Sequence, residues 1–220
     1  MGAVKLYKYL DFNGGLMMLY HSNLQFTNAT QLNDPFDCHP SLIDFSNVPK
    51  EACGGWTPEI IEELRRDPFR RTREEVWICS LSKIHDSILM WSYYSKHKGI
   101  CVGLDMEKAQ KFLSRIYGKI MISCSVVEVQ YKDIVEKPDY FRDAKDFFHY
   151  QLSTKAKAWE HEQEVRLFIL DPWPTYMSLL PRQNDDKGPI DWKEVRAFSE
   201  IGGECFESVY LGINMDTDEK

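Results

Sequence analysis

The chain has 220 residues, with 27 Lys and Arg against 34 Asp and Glu, for a formal charge of −7. That length sets one domain, or one domain with an insertion, and an apolar share of 43% is enough to bury a core. The negative balance argues against an electrostatic grip on nucleic acid or an anionic membrane. No stretch approaches the about 18 apolar residues of a membrane span. The run MGAVKLYKYLDF has no apolar core of signal-peptide length. The six cysteines are scattered without a C-x-x-C pair, which favours reduced thiols in a cytoplasmic protein over disulfides or structural zinc.

In chain order, Val4 to Tyr9 reads as a first strand, Asn13-Gly14-Gly15 as a break, and Leu16 to Tyr20 as a short helix closed by His21-Ser22-Asn23. Leu24-Gln25-Phe26-Thr27 is a second strand, followed by a polar loop from Asn28 to Pro40. Residues 41–57 look irregular, and Pro58 opens a helix to about Arg66 with Thr57 as N-cap. Together with a charged segment to Glu75, residues 41–75 read as a helical insertion. Arg65, Arg66, Arg70, Arg71 and Arg73 are interleaved with acidic residues there, the pattern of an exposed helix face.

Val76 to Ser82 reads as a buried strand, Asp86 to Ser95 as a helix, Gly99 to Asp105 as a strand and Glu107 to Ile116 as an amphipathic helix. Ile120 to Tyr131 supplies one or two strands. Asp139 to Ala158 reads as a long helix, Glu162 to Leu170 as a strand and Ser208 to Ile213 as a last short strand. The Pro- and Asp-rich stretch 171–189 reads as a surface excursion. Strands and helices interleave without a βαβα rhythm, so the expected class is α+β: a single domain, 1–220, with a small mixed or antiparallel sheet flanked by helices. Cys79, Cys101 and Cys124 sit in apolar runs and are expected in the core. Cys38-His39 has no matching second pair, so no metal site is expected there.

Three constellations can carry chemistry. In Trp159-Glu160-His161-Glu162-Gln163-Glu164-Val165-Arg166, strand alternation would put Glu162, Glu164 and Arg166 on one face. Paired carboxylates suit a reaction with developing positive charge, one stabilising the cation and the other taking a proton; the plain alternative is a strand face of ion pairs. In Asn33-Asp34-Pro35-Phe36-Asp37, Asn33 can close an Asx-turn, Phe36 can anchor the loop, and Asp34 and Asp37 can ligate a metal or orient a cationic partner; alone, the loop reads as architectural. In Cys79-Ser80-Leu81-Ser82, the hydroxyls of Ser80 and Ser82 share a face and can orient a carboxylate or contact a ribose, or simply bond local backbone. Trp91 and Tyr94, three apart on the following helix, line a pocket or fill the core.

These motifs form an ordered set: Leu6-Tyr7-Lys8-Tyr9, Leu24-Gln25-Phe26-Thr27, Asn33-Asp34-Pro35-Phe36-Asp37, Cys79-Ser80-Leu81-Ser82, Met90-Trp91-Ser92-Tyr93-Tyr94, Lys98 to Asp105, and Trp159 to Arg166. The set resembles a bacterial family known only as a domain of unknown function, over residues 5–213. More weakly, the chain resembles the ADP-ribosyltransferase superfamily, whose arginine-specific branch has an arginine on its first strand, an S-T-S motif and a late E-x-E. Ser80-Leu81-Ser82 and Glu162-Gln163-Glu164 occur in that order, and the first-strand position falls at Lys8, which lacks the planar fork of Arg.

The second resemblance implies a split sheet and NAD as substrate, with cleavage of its nicotinamide–ribose bond. It implies that Glu164 stabilises the oxocarbenium-like ribose, Glu162 activates the acceptor and Ser80 orients Glu164. Lys8 and Ser82 would touch the dinucleotide, Trp91 or Tyr94 would flank the nicotinamide, and Asn33, Asp34, Asp37 and Arg166 would support the site. Two other readings stand beside it. One is a Mg²⁺-dependent phosphodiesterase or nuclease with the metal shared by Asp34, Asp37, Glu162 and Glu164. The other is a non-enzymatic binding or regulatory module in which the charged cluster links the Asn33–Asp37 loop to the late strand. A small molecule, a protein partner and a second copy of the chain are all open as partners.

Overall fold

Strand alternation gives the main sheet two faces, one packed into the main apolar core and one that carries polar side chains beside smaller apolar clusters, and these fix where the core and the site lie. The computed structural model describes residues 5–66, 73, 75–113, 115–117, 120–122, 124–170 and 196–216, with only the backbone of Arg66 and of residues 115–117 and 120–122. The first strand, β1 (Lys5–Leu10), is followed by α1 (Phe12–His21), β2 (Asn23–Asn28), α2 (Pro58–Arg66) and β3 (Val76–Ser82). Next come α3 (Ile88–Ser95), β4 (Ile100–Asp105), α4 (Met106–Leu113), β5 (Arg115–Tyr117), β6 (Ile120–Ile122), β7 (Ser125–Glu128) and β8 (Gln130–Lys132). The rest are α5 (Phe147–Ser153), β9 (Thr154–Ala156), β10 (Glu164–Leu170), β11 (Ala197–Glu200) and β12 (Phe206–Leu211). The class is α+β with a mostly antiparallel sheet; β8 and β9 pair in parallel and β5 and β6 antiparallel beside it.

One edge of β3 pairs along its whole length with β10, from Val76↔Leu170 to Ser82↔Glu164, and β10 continues to β7. The other edge is divided. β1 meets it at Tyr7↔Ser82, while β2 meets it at Thr27↔Ile78 and Asn28↔Trp77. From there β1 runs in full register with β4, which carries β12, and β2 carries β11. Between the two contacts the Ser80 carbonyl accepts a hydrogen bond from Lys8 Nζ at 2.8 Å. A lysine side chain thus meets an edge carbonyl where the strands on either side diverge.

On the apolar face, Leu6, Trp77, Cys79, Leu81, Val102, Leu104, Val165, Leu167 and Ile169 pack with Met18 of α1 and Ala109 and Leu113 of α4. Cys79, Cys101 and Cys124 are buried, as expected. The opposite face carries Tyr7, Tyr9, Ser80, Ser82, Glu164 and Arg166, with α3 across it.

Several expectations are corrected. Asn13-Gly14-Gly15 lies inside α1 and does not break it. Asp11 caps the helix by accepting from Gly14 N, and a Cβ on Gly15 would fall 2.7 Å from Ile100 Cβ, so the glycine lets the helix lie directly on β4. The long helix read over 139–158 is confined to α5, capped by Asp146. Residues 154–156 are extended instead and pair with β8, and Lys155 reaches its carboxylate partners from this strand. β11 carries only four residues and left no pattern to read. Phe36 is 70% exposed and does not anchor its loop to the core. α2 spans the expected residues, with Thr57 Oγ1 accepting from Ile60 N. Arg70 and Arg71, and the 171–189 stretch, lie outside the described residues. Among the described residues no helix is long and apolar enough to cross a membrane.

Candidate functional site

Glu162 is not on the strand with Glu164 and Arg166, a further correction. It ends a 3-10 turn, Lys157–Glu162, and Gln163 takes a left-handed φ of 42° before β10 begins. That backbone is uncommon for a non-glycine residue. It changes the chain direction between the two carboxylates yet leaves both on one cluster. Ser82 fixes the turn: its Oγ donates to Glu162 O at 2.7 Å and accepts from Ile84 N at 3.2 Å.

The cluster is a buried ion network. Arg166, with no exposed surface, donates from Nε to Glu164 Oε1 at 2.9 Å and from Nη2 to Glu164 Oε2 at 2.8 Å. Its other edge holds Asp37, Nη1 to Oδ1 at 2.9 Å and Nη2 to Oδ2 at 2.6 Å, and Nη1 also bonds Leu152 O at 2.9 Å. The planar fork is suited to two carboxylates at once. Lys155 completes the network. Its Nζ lies 2.5 Å from Glu162 Oε2, 3.2 Å from Glu164 Oε2 and 3.5 Å from Asp37 Oδ2, with the Trp159 ring centroid 4.9 Å away. Tyr94 donates its hydroxyl to Glu162 Oε1 and accepts from Asn33 Nδ2 at 3.1 Å. Tyr131 OH accepts from Glu164 N at 2.8 Å.

Electrostatics follow from these contacts. Burial would raise the Glu164 carboxyl, but the Arg166 and Lys155 charges, with hydrogen bonds from Arg166 and Ser80, hold it well below the ordinary carboxylate range. Burial would lower Lys155, but Glu164, Asp37 and Glu162 hold its ammonium above the usual lysine value. Burial, together with Glu162, keeps the Tyr94 phenol neutral. Burial, more than the Arg166 charge can offset, keeps the Cys38 thiol protonated beside the network.

A cavity of about 200 Å³ opens over this cluster. Lys8, Ser80, Ser82, Asn33, Asp37, Tyr94, Glu162 and Glu164 line it, so the structure brings eight of the expected site residues to one place. Tyr7, Tyr9, Leu32 and Met90 supply apolar walls. Arg166 lies beneath, holding Glu164 and Asp37. Asp34 turns away: its Oδ1 accepts from Phe36 N at 2.9 Å and shapes the loop. Trp91 is not part of the lining; its Nε1 donates to His85 O at 2.9 Å and its ring packs edge-on against Tyr9. Trp91 is partly buried and packs against the cluster of Tyr9, Met90 and Cys101.

A shared Mg²⁺ finds no arrangement to hold it. Lys155 already places a cation among Asp37, Glu162 and Glu164, and among the described residues no group of three or more His, Cys, Asp or Glu could hold a metal ion. Lys155 is the residue that sequence reasoning missed. Its neighbours Lys157 and Glu160 are ordinary surface charges, and its partners lie as far away as Asp37.

No curated protein and no solved structure matches the chain. The family described as Protein of unknown function (DUF2971) matches residues 90–167. That segment holds Tyr94, Lys155, Glu162, Glu164 and Arg166, whereas Lys8, Asn33, Asp37, Ser80 and Ser82 lie before it. The resemblance to a domain-of-unknown-function family is thus found over the part of the chain that supplies most of the charged cluster: residues 90–167 are similar to DUF2971, a family of proteins of unknown function.

Proposed function

We propose that this chain cleaves the bond between a ribose and a cationic ring, the nicotinamide–ribose bond of NAD, in the manner of an ADP-ribosyltransferase. The observation that carries the reading is the convergence of Lys8, Ser80, Glu162 and Glu164 on one cavity. These are the positions that correspond, in order, to the superfamily's first-strand cation, its serine strand and its E-x-E. At that place β1 and β2 meet the same edge of β3 at different residues, β1 at Ser82 and β2 at Ile78 and Trp77.

Glu164 is ionised and faces the cavity, as a group that stabilises an oxocarbenium-like ribose must be. The C1–N bond breaks with its electron pair passing to the ring nitrogen, which neutralises the pyridinium, and the ring leaves as nicotinamide. An acceptor hydroxyl or water bonds to C1 and gives its proton to Glu162. A cavity of about 200 Å³ takes the nicotinamide end between Tyr9, Met90 and Tyr94, with the adenosine half outside. Lys8 commits one N–H to Ser80 O and keeps two for an anionic group. Isothermal titration with NAD tests the reading: saturable binding weakened in Tyr94→Ala is expected, and no heat of binding at millimolar NAD would sink it.

One observation favours a second reading. Glu164 and Asp37 are both engaged by a fully buried Arg166, the arrangement of a structural ion network in a binding or regulatory module. Under that reading, Glu164→Gln changes folding stability and no catalytic rate.

A further inference from the structure

We infer that Lys155 is the positioning residue that holds Glu162 beside Glu164, and so sets the separation of the two carboxylates on which the proposed reaction depends. The inference rests on that reaction for its kinetic consequence, but its geometric content stands on the structure of the cluster.

Glu162 and Glu164 arrive from different elements. Glu164 is fixed on β10 by strand pairing and by Arg166, whereas Glu162 hangs from the end of a 3-10 turn. Arg166 bonds Asp37 and Glu164, and the cation bonded to Glu162 is Lys155. Like charges this close repel, so a cation between them is what makes the arrangement stable.

Lys155 is itself built in. It lies on β9 directly opposite Tyr131 of β8, and Tyr131 OH accepts from Glu164 N while Lys155 Nζ donates to Glu164 Oε2. Two cross-strand neighbours therefore grip the backbone and the side chain of the same glutamate. Trp159 faces the ammonium, and the Lys155 side chain is 3% exposed. A buried lysine would lose its charge without partners; here Asp37, Glu162 and Glu164 surround it. The groups facing it are Asp37 from the loop, Glu162 from the turn, Glu164 and Arg166 from β10, Tyr94 from α3 and Tyr131 from β8.

The test is the crystal structure and the pH–rate profile of Lys155→Met and Lys155→Arg beside wild type. In Lys155→Met, Glu162 is expected to swing away from Glu164 and kcat for nicotinamide release to fall about 100-fold, the size of a lost general base, with KM little changed. The acid limb of kcat should move up by about one pH unit, because a cation that holds the Glu164 carboxyl low is gone. Lys155→Arg keeps the charge and should keep the limb in place, which a purely structural role does not require. Where Lys155→Met does not fold, the double variant Lys155→Met/Asp37→Asn, which removes one charge of each sign, carries the same measurements. Glu162 unmoved in the variant, with wild-type kcat and pH profile, overturns the inference. A wild type that releases no nicotinamide overturns the reaction instead, and the position of Glu162 in the variant then decides the positioning by itself.

Discussion

Asp37 and Arg166 lie 129 residues apart in sequence and meet through two hydrogen bonds of 2.9 and 2.6 Å, neither residue more than 2% exposed. This contact ties the Asn33–Asp37 loop to β10 and forms the floor beneath the cavity. Removing one member of such a pair leaves the other buried and uncompensated. Arg166→Met is therefore expected to lose about 3–5 kcal/mol of unfolding free energy, a large part of a domain's total. Urea denaturation of the two proteins measures it, and a midpoint equal to wild type contradicts the network's role.

The network also sets a pH window. Glu164 is held below its ordinary value of 4.5, so its contribution is present above that pH and is lost as pH falls through the lower folded value. Lys155 is held above its ordinary value of 10.5, so its contribution is present below that pH and is lost as pH rises through the higher folded value. Stability is expected to hold a plateau between these limits. Glu164→Gln should flatten the acid side and Lys155→Met the alkaline side. Chemical denaturation across pH measures both, and a wild type and Glu164→Gln that lose stability in parallel below pH 4.5 would contradict the assignment.

Tyr94 joins three parts of the site, since its hydroxyl donates to Glu162 and accepts from Asn33. Tyr94→Phe removes a bond to a charged group and is expected to lose about 1.5–3 kcal/mol. It should also loosen the 29–39 loop, measured as faster amide exchange at residues 31–34. Unchanged exchange there would contradict a role for Tyr94 in holding the loop.

How far the site was legible depends on the distance of each residue from its partners. β3 reads as a buried strand because seven consecutive residues suit one, and Glu164 and Arg166 share a face by strand alternation. Ser80, Ser82, Asn33 and Tyr94 stood in motifs and reach the cavity. Glu162 was expected on the same strand, but the left-handed Gln163 leaves no residue-type signal because glycine is absent there. Lys155 was hidden inside a stretch that looks helical. What makes it extended and buried is the sum of three carboxylates, two of which follow it in the chain and one of which precedes it by more than a hundred residues. The divided edge of β3 depends on which strands pair, and no local pattern encodes that.

The most direct test of the central claim is single-turnover release of nicotinamide from NAD by wild type and by Glu164→Gln, with far-UV circular dichroism confirming that both are folded. The wild type is expected to release nicotinamide and the variant to do so about 10²–10³-fold more slowly, the scale of losing a preorganised charge aimed at the transition state. No release by the folded wild type, or equal rates in the two proteins, would contradict the account and leave the buried carboxylates as a structural ion network.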